Sequence, residues 1–234
     1  MNDSTVKITA DKLKKRNQKV SFIKKVILFI ILFLILIYGV LSIIYKGANF
    51  TISLDPDFIR EKGIVLYNDI EQKNAVKKLY IENNGFMDNI SIKWLPENIN
   101  DNNGGSHNGD NYIAYTFYIE NQGKETLNYW YEISIEDVIK NVDEAVRIII
   151  YHNDEKTVYA KKNADTKKEE PDTKSFYSEK IAVLESRKKF EPNKIDKFTV
   201  VFFLEGDDPD CIDTIIGGEI KMRMDIYEEN NSKK

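Results

Sequence analysis

Val26-Ile27-Leu28-Phe29-Ile30-Ile31-Leu32-Phe33-Leu34-Ile35-Leu36-Ile37-Tyr38-Gly39-Val40-Leu41-Ser42-Ile43-Ile44-Tyr45 is 20 residues without a charge. As a helix rising about 1.5 Å per residue it covers roughly 30 Å, the thickness of a bilayer's hydrocarbon core. A helix satisfies its own backbone hydrogen bonds, as lipid requires of a single spanning segment. The run therefore divides the chain: residues 1–25 read as a basic cytoplasmic tail, 26–45 as a transmembrane helix, and 46–234 as an extracytoplasmic domain.

Flanking charge sets that orientation. Lys7, Lys12, Lys14, Lys15, Arg16, Lys19, Lys24 and Lys25 precede the run, against Asp3 and Asp11. The 20 residues after it hold only Lys46, Arg60 and Lys62. Lys and Arg bias a segment toward the cytoplasm, so the N-terminus is expected inside the cell membrane and the C-terminal domain outside. Tyr38 and Tyr45 lie toward the outer end, where an amphipathic ring favours the headgroup level. The competing reading is a cleaved secretory signal, whose apolar region is normally 7 to 15 residues followed by small residues at −3 and −1. Here Ala48 at −1 would put Lys46 at −3, so a retained anchor is the favoured reading.

Residues 1–46 carry nine cations and two anions, net +7, and the whole chain is −4, which leaves −11 on residues 47–234. The tail is suited to anionic lipid. Nucleic acid is an unsuitable partner, because the tail has no aromatic residue before Phe22 to stack on bases and the outer domain is acidic. Cys211 is the sole cysteine, so no disulfide can form within one chain. The outer domain must be held by an apolar core or a metal.

That domain reads as mainly β. Residues 49–54 alternate with period two, placing Phe50, Ile52 and Leu54 on one face. Residues 76–81 and 90–95 are further expected strands, joined across the turn chemistry of Asn83-Asn84-Gly85. Residues 112–120 and 127–133 read as a hairpin around Asn121-Gln122-Gly123-Lys124. A short helix is expected next, capped by Ser134 with Asp137 three residues on and an apolar stripe of Ile135, Val138, Ile139 and Val142. Residues 145–152 and 157–161 flank a turn at 153–156, residues 162–173 read as an exposed loop, and strands follow at 180–184, 197–204 and 219–227. About ten short strands with one helix point to a single antiparallel β-sandwich or jelly-roll-like domain.

The densest polar cluster is Glu205-Gly206-Asp207-Asp208-Pro209-Asp210-Cys211-Ile212-Asp213. Glu205, Asp207, Asp208, Asp210 and Asp213 make a candidate cation site, with Ca²⁺ the fitting ion because it takes six to eight oxygen ligands. The spacing is not that of an EF-hand. The alternative is a solvated turn whose carboxylates bond nearby N–H groups and cap a helical turn over 210–216. Residues 98–111, rich in Asn, Asp and Gly, read as a mobile hairpin loop or a ligand-contacting one. His107, His152 and Cys211 match no zinc spacing, and no nucleophile elbow or phosphate loop is present. Tyr115, Phe117, Tyr129, Trp130 and Tyr131 are either a binding platform or strand core. No cofactor is expected apart from that possible Ca²⁺.

Asn141-Val142-Asp143-Glu144-Ala145-Val146-Arg147, Thr157-Val158-Tyr159-Ala160-Lys161, Leu204-Glu205-Gly206-Asp207-Asp208-Pro209-Asp210-Cys211 and Ile216-Gly217-Gly218-Glu219-Ile220-Lys221-Met222 together resemble a group of single-pass envelope proteins of Gram-positive bacteria. That group is distantly similar to the TasA/camelysin-type β-sandwich proteins of biofilm matrices. The resemblance implies a membrane-anchored, non-enzymatic interaction or assembly module. Its partners would be the lipid bilayer and another envelope protein or a second copy. The alternative is a cation-binding or metal-dependent hydrolase of the camelysin kind, centred on residues 205–213.

Overall fold

The computed structural model describes residues 3–45, 50–81 and 86–229. The chain divides into two compact units, Met1–Gly47 and Ala48–Lys234. The first is one helix, α1 (Asp3–Tyr45), which continues back through most of the basic tail. Its stretch Gln18–Val40 is long and apolar enough to cross a membrane, and none of it is buried against protein.

The second unit is β-rich. Its strands are β1 (Phe50–Leu54), β2 (Ile64–Tyr67), β3 (Ala75–Val76), β4 (Lys78–Ile81), β5 (Gly105–Ser106), β6 (Ile113–Asn121) and β7 (Leu127–Ile139). They continue as β8 (Val146–His152), β9 (Glu155–Ala160), β10 (Lys174–Ser175), β11 (Ile181–Phe190), β12 (Ile195–Leu204) and β13 (Glu219–Glu228). One sheet runs β11-β7-β13-β1-β4; the other runs β10-β9-β8-β12-β6-β2-β3, with β5 also on β6. Most neighbours are antiparallel, as expected, but β1–β13 and β9–β10 are parallel. Both sheets are therefore mixed.

The two sheets face each other across one core. Phe50 meets Phe202 edge-on at 4.6 Å, and Tyr131 meets Phe198 at 5.2 Å. Tyr115, Phe117, Tyr129 and Tyr131 are buried in it, so these aromatics are core; Trp130 alternates outward, with Lys188 Nζ 5.8 Å from its ring. The larger sheet is also covered on its outside. Ile90 and Ile99 pack with Ala114, Ile149, Val201 and Phe203 in a second, smaller core. That cover explains why β6, β8 and β12 are buried nearly throughout instead of alternating.

Four sequence expectations are corrected. The helix expected after Ser134 is the continuation of β7 to Ile139, paired to β13 through Val138↔Ile220 and Glu219↔Ile139. A register shift between Lys221 and Met222 sits opposite Glu136. Such a bulge breaks the two-residue period, and the apolar spacing then imitates a helical stripe. Only a 3₁₀ turn, Val142–Glu144, is helical here. Residues 90–95 are no strand: Ile90 makes one bridge to Glu205 and Ile92–Trp94 is a 3₁₀ turn. The expected strand at 76–81 is split at Lys77 between the two sheets. Strands β6 and β7 form no hairpin, because residues 122–126 carry the chain from one sheet to the other. The turn assigned to Asn83-Asn84-Gly85 lies outside the described residues.

The short helix is instead α2 (Pro56–Lys62). Asp55 Oδ1 accepts from Asp57 N at 2.8 Å and Phe58 N at 3.3 Å, Pro56 opens the first turn, and Gly63 ends it at φ 70°. Phe58 pins it to the core.

One carboxylate reaches across the sandwich. Asp196 on β12 is 2% exposed, and its Oδ2 accepts from Tyr129 Oη on β7 at 2.6 Å and from Arg187 Nε on β11 at 3.2 Å. His152 Nε2 lies 3.4 Å from the same oxygen, and Asn153 Nδ2 donates to Oδ1 at 3.1 Å. Burial pushes the Asp196 carboxyl up, but His152, Tyr129 and Asn153 outweigh it and hold it at about 2. A depressed carboxylate contributes stability above its unfolded value, and that stability is lost as pH falls toward the folded one. We expect acid titration from pH 5 to pH 2 to remove about 2 kcal/mol from the wild type. That loss should be missing in Asp196→Asn, which should already be less stable at pH 7; chemical denaturation at each pH reads both effects.

Candidate functional site

Strand β12 ends at Leu204 and hands the chain to the acidic loop. Glu205 N–H donates to Ala145 O at 2.9 Å, and Gly206 N–H donates to Ile90 O at 2.9 Å. The Glu205 side chain, 6% exposed, is turned to the backbone. Its Oε2 accepts from Ile92 N at 3.1 Å and its Oε1 from Asp207 N at 3.1 Å. Asp207 Oδ2 accepts from Ser91 Oγ at 2.9 Å. These two carboxylates splint residues 90–92 to the end of β12. Asp213 is exposed at the start of a separate 3₁₀ turn, Asp213–Ile215.

Asp208 and Asp210 point elsewhere. Asp208 Oδ1 accepts from Asp210 N at 2.8 Å, and Asp210 Oδ2 accepts from Ala164 N at 2.7 Å. Asp208 Oδ2 lies 2.6 Å from Arg147 Nη2, and Glu170 Oε2 lies 3.7 Å from the same nitrogen. Beyond that charge contact, Asp208 Oδ2 and Arg147 Nη1 are both buried without a hydrogen-bond partner. Ligand oxygens of Glu170, Asp208 and Asp210 all fall within 4.8 Å of one another. Burial pushes the Glu170 carboxyl up, the Asp208 charge adds to that, and Arg147 opposes it. Beside the cluster opens a cleft of 760 Å³ lined by Ile92, Arg147, Thr157, Glu170, Glu205 and Asp207 among others.

Of the five loop carboxylates, then, Asp208 and Asp210 are brought together and Glu205, Asp207 and Asp213 are not. Glu170 and Arg147 join them. Residues 162–173 read as an exposed loop, yet Glu170 within it is buried. Arg147 had a readable signal, being a lone charge in the apolar strand Val146–His152. Its guanidinium meets Asp208 and neutralises part of the cluster. Three carboxylates against one guanidinium leave a formal charge of −2. The arrangement can act as a structural ion pair closing the loop, or accept a cation in place of that pairing.

The other sequence candidates are apart. His152 stacks on Phe198 at 4.5 Å within the Asp196 cluster. His107 Nε2 lies 3.1 Å from Ile99 O and 3.4 Å from Thr116 Oγ1, and burial, with Lys197, pulls its pKa down. Cys211 Sγ accepts from Asn89 Nδ2 at 3.3 Å, and burial pushes its thiol up. The 98–111 loop is ordered by β5 and by a bridge between Gly104 and Asp69. At Gly104, φ is 149° and a Cβ would lie 2.3 Å from Asn68 O, so only glycine fits.

Replacing Arg147 by Gln should strand the Asp208 and Glu170 carboxylates in a buried site. We expect a loss of about 3 to 5 kcal/mol at pH 7, partly recovered at pH 5 as Glu170, already shifted upward, takes a proton. Urea melts at both pH values read this. Equal losses at the two would show that the ion pair is not what holds the loop.

No family model and no curated protein matches this chain. Among solved structures it is similar to a β-glucosidase from Kluyveromyces marxianus, at 12% identity and a TM-score of 0.24, over 69% of this chain and 16% of that one. It is also similar to the N-terminal domain of PorA, at 8% identity and a TM-score of 0.26, over 70% of this chain and 96% of that one. The chain thus spans about a sixth of the glucosidase. Likeness at this level carries no argument about activity.

Proposed function

We propose that this chain is a membrane-anchored interaction or assembly module of a bacterial cell envelope, with its β domain outside the cytoplasm and working by contact, not by turnover. The observation that carries the reading is a helix of spanning length on the same chain as a sandwich with open sheet edges. Among the described residues, no strand lies beyond β4 or beyond β11. Each edge offers backbone N–H and C=O groups that a strand of another chain can pair with. Strand β11 is guarded, since register shifts interrupt it at both ends and Lys188 and Lys189 stand on it. Strand β4 has no bulge. It turns Leu79 and Ile81 inward and Lys78 and Tyr80 outward, and is the edge more open to strand addition. The eight cations before the apolar run support an inward N-terminus. The resemblance to single-pass Gram-positive envelope proteins favours the same placement.

A second reading, cation binding at the acidic loop, is favoured by the closeness of Glu170, Asp208 and Asp210. The two readings separate in one experiment. Full-length protein in detergent, stripped by chelator, is melted with and without Ca²⁺. A ligand that binds only the native state adds about 2.7 kcal/mol at one hundred times its dissociation constant. The contact reading expects no shift. A rise abolished by Asp208→Asn/Asp210→Asn would establish the cation reading instead.

Placement is tested in a Cys211→Ser background with Glu191→Cys, an exposed position at the polar end of the domain. A membrane-impermeant maleimide should label it in intact cells, and labelling only after permeabilisation would reverse the topology. A photo-crosslinking residue at position 78, outward on β4, should join the domain to another chain, while one at position 61, on α2, should not. Silence at both positions would remove the β4 edge from the proposal.

A further inference from the structure

Among the described residues, the large hydrophobic side chains exposed by the β domain are Tyr80, Phe86, Trp94, Tyr177, Ile212 and Ile216. Strand register locates them. The row of partners through Phe50, the first residue of β1, runs Ile81, Phe50, Met222 and Ile135 across the five-stranded sheet. Ile135 N–H then reaches Lys180 O at 2.8 Å. Tyr80 pairs with Thr51, one residue from this row. Phe86 belongs to the segment beyond Ile81, where Asp88 N–H reaches Asn111 Oδ1 at 2.9 Å and Asn89 reaches Cys211. Tyr177 belongs to the turn before β11, its N–H on Ala182 O at 3.3 Å. Because β1 and β13 are parallel, Ile212 and Ile216, which precede β13, lie beyond Met222 on the side where β1 starts. Phe202, against Phe50, carries the same level to the other sheet, and Ile90 bridges Glu205 three residues further on. Trp94 follows on the adjoining flank.

Five of the six thus gather at the end of the sandwich where β1 begins. The opposite end differs. Its turns at 122–126 and 191–194, with α2, expose Asp57, Arg60, Glu61, Lys124, Glu125, Glu191 and Lys194, and no large hydrophobic among the described residues. The asymmetry coincides with a covalent fact: α1 ends five residues before Phe50, a reach of at most about 18 Å for extended chain. Tyrosine rings favour the headgroup level, where one edge is apolar and the other wet. At the same end exposed Asp137, Glu179, Asp207, Asp213 and Glu219 outnumber exposed Lys140 and Lys180 and disfavour anionic lipid, so zwitterionic headgroups are the surface this end fits.

We propose that this end of the domain is a lipid-contacting face, on which Tyr80, Phe86, Tyr177, Ile212 and Ile216 enter the headgroup layer of the bilayer crossed by α1. It rests on the reading of α1 as a retained anchor. The face fixes the orientation of the domain on the membrane and leaves the polar end, with the β6–β7 and β11–β12 turns, directed away from it.

The test uses the full-length chain in phosphatidylcholine nanodiscs, one copy per disc, in a Cys211→Ser background. Single spin labels are placed by Ile212→Cys, Ile216→Cys, Glu191→Cys and Leu34→Cys, with folding checked by circular dichroism. Collision with oxygen, which concentrates in lipid, is compared with collision with a water-soluble nickel chelate. The expected result is an oxygen-to-nickel ratio at positions 212 and 216 several-fold above that at 191 and approaching that at 34. Equal, water-like ratios at 212, 216 and 191 with a lipid-like value at 34 would overturn the lipid face while leaving the anchor in place. Labels at 212 and 216 shielded from both reagents would overturn it in favour of a protein contact. A water-like value at 34 would remove the anchor, and the face with it.

Discussion

The sandwich depends on one charge buried between two apolar layers. Nearly everything that joins the sheets is dispersion and exclusion of water, through Phe50 on Phe202 and Tyr131 on Phe198. Such contacts are strong in sum but tolerate sliding. Asp196 does not, because its Oδ2 must meet Tyr129 and Arg187 from the opposite sheet and His152 from its own. A buried carboxylate without those partners would be costly, so the polar cluster fixes the relative register of two surfaces that apolar packing alone leaves loose.

The acidic loop solves a similar problem at the other end of β12. Its carboxylates are directed at the backbone N–H groups of residues 92, 164, 207 and 210, at the Ser91 hydroxyl and at Arg147. The loop thereby holds the cover over the outer face of the larger sheet. The cover in turn makes β6, β8 and β12 a layer buried on both sides. Charge density in a sequence is ambiguous for this reason: four of the five carboxylates that suggest a cation serve as acceptors for a chain that turns sharply and would otherwise leave donors unpaired.

How far the sequence could be read differs between elements. Strands with a clean period of two, such as β1 and β13, are visible in it, as are the continuous apolar run of β12, the β8–β9 turn and the apolar helix. The helical stripe expected after Ser134 fails because a bulge at Glu136 shifts the alternation by one residue and the ladder with β13 outweighs local propensity. The helix was expected on the wrong segment although α2 carries start and stop chemistry in Asp55, Pro56 and Gly63. In the acidic cluster, Asp208 and Asp210 could be named from sequence, but Glu170 could not. It lies 38 residues from Asp208 in a polar segment with no periodicity, and only tertiary contact buries it.

The sequence by itself determined that one segment is apolar over a membrane's thickness and that the remainder is an acidic, β-forming chain without disulfides. Those are properties of composition and short-range period, which each residue carries wherever it folds. Only the tertiary structure decided which strand joins which sheet, that β6 and β7 part company, that Arg147 pairs with Asp208, and that the exposed apolar residues collect at the end where β1 begins. These depend on which distant segments meet, and pairing energy between strands is set by register and burial that no local window contains.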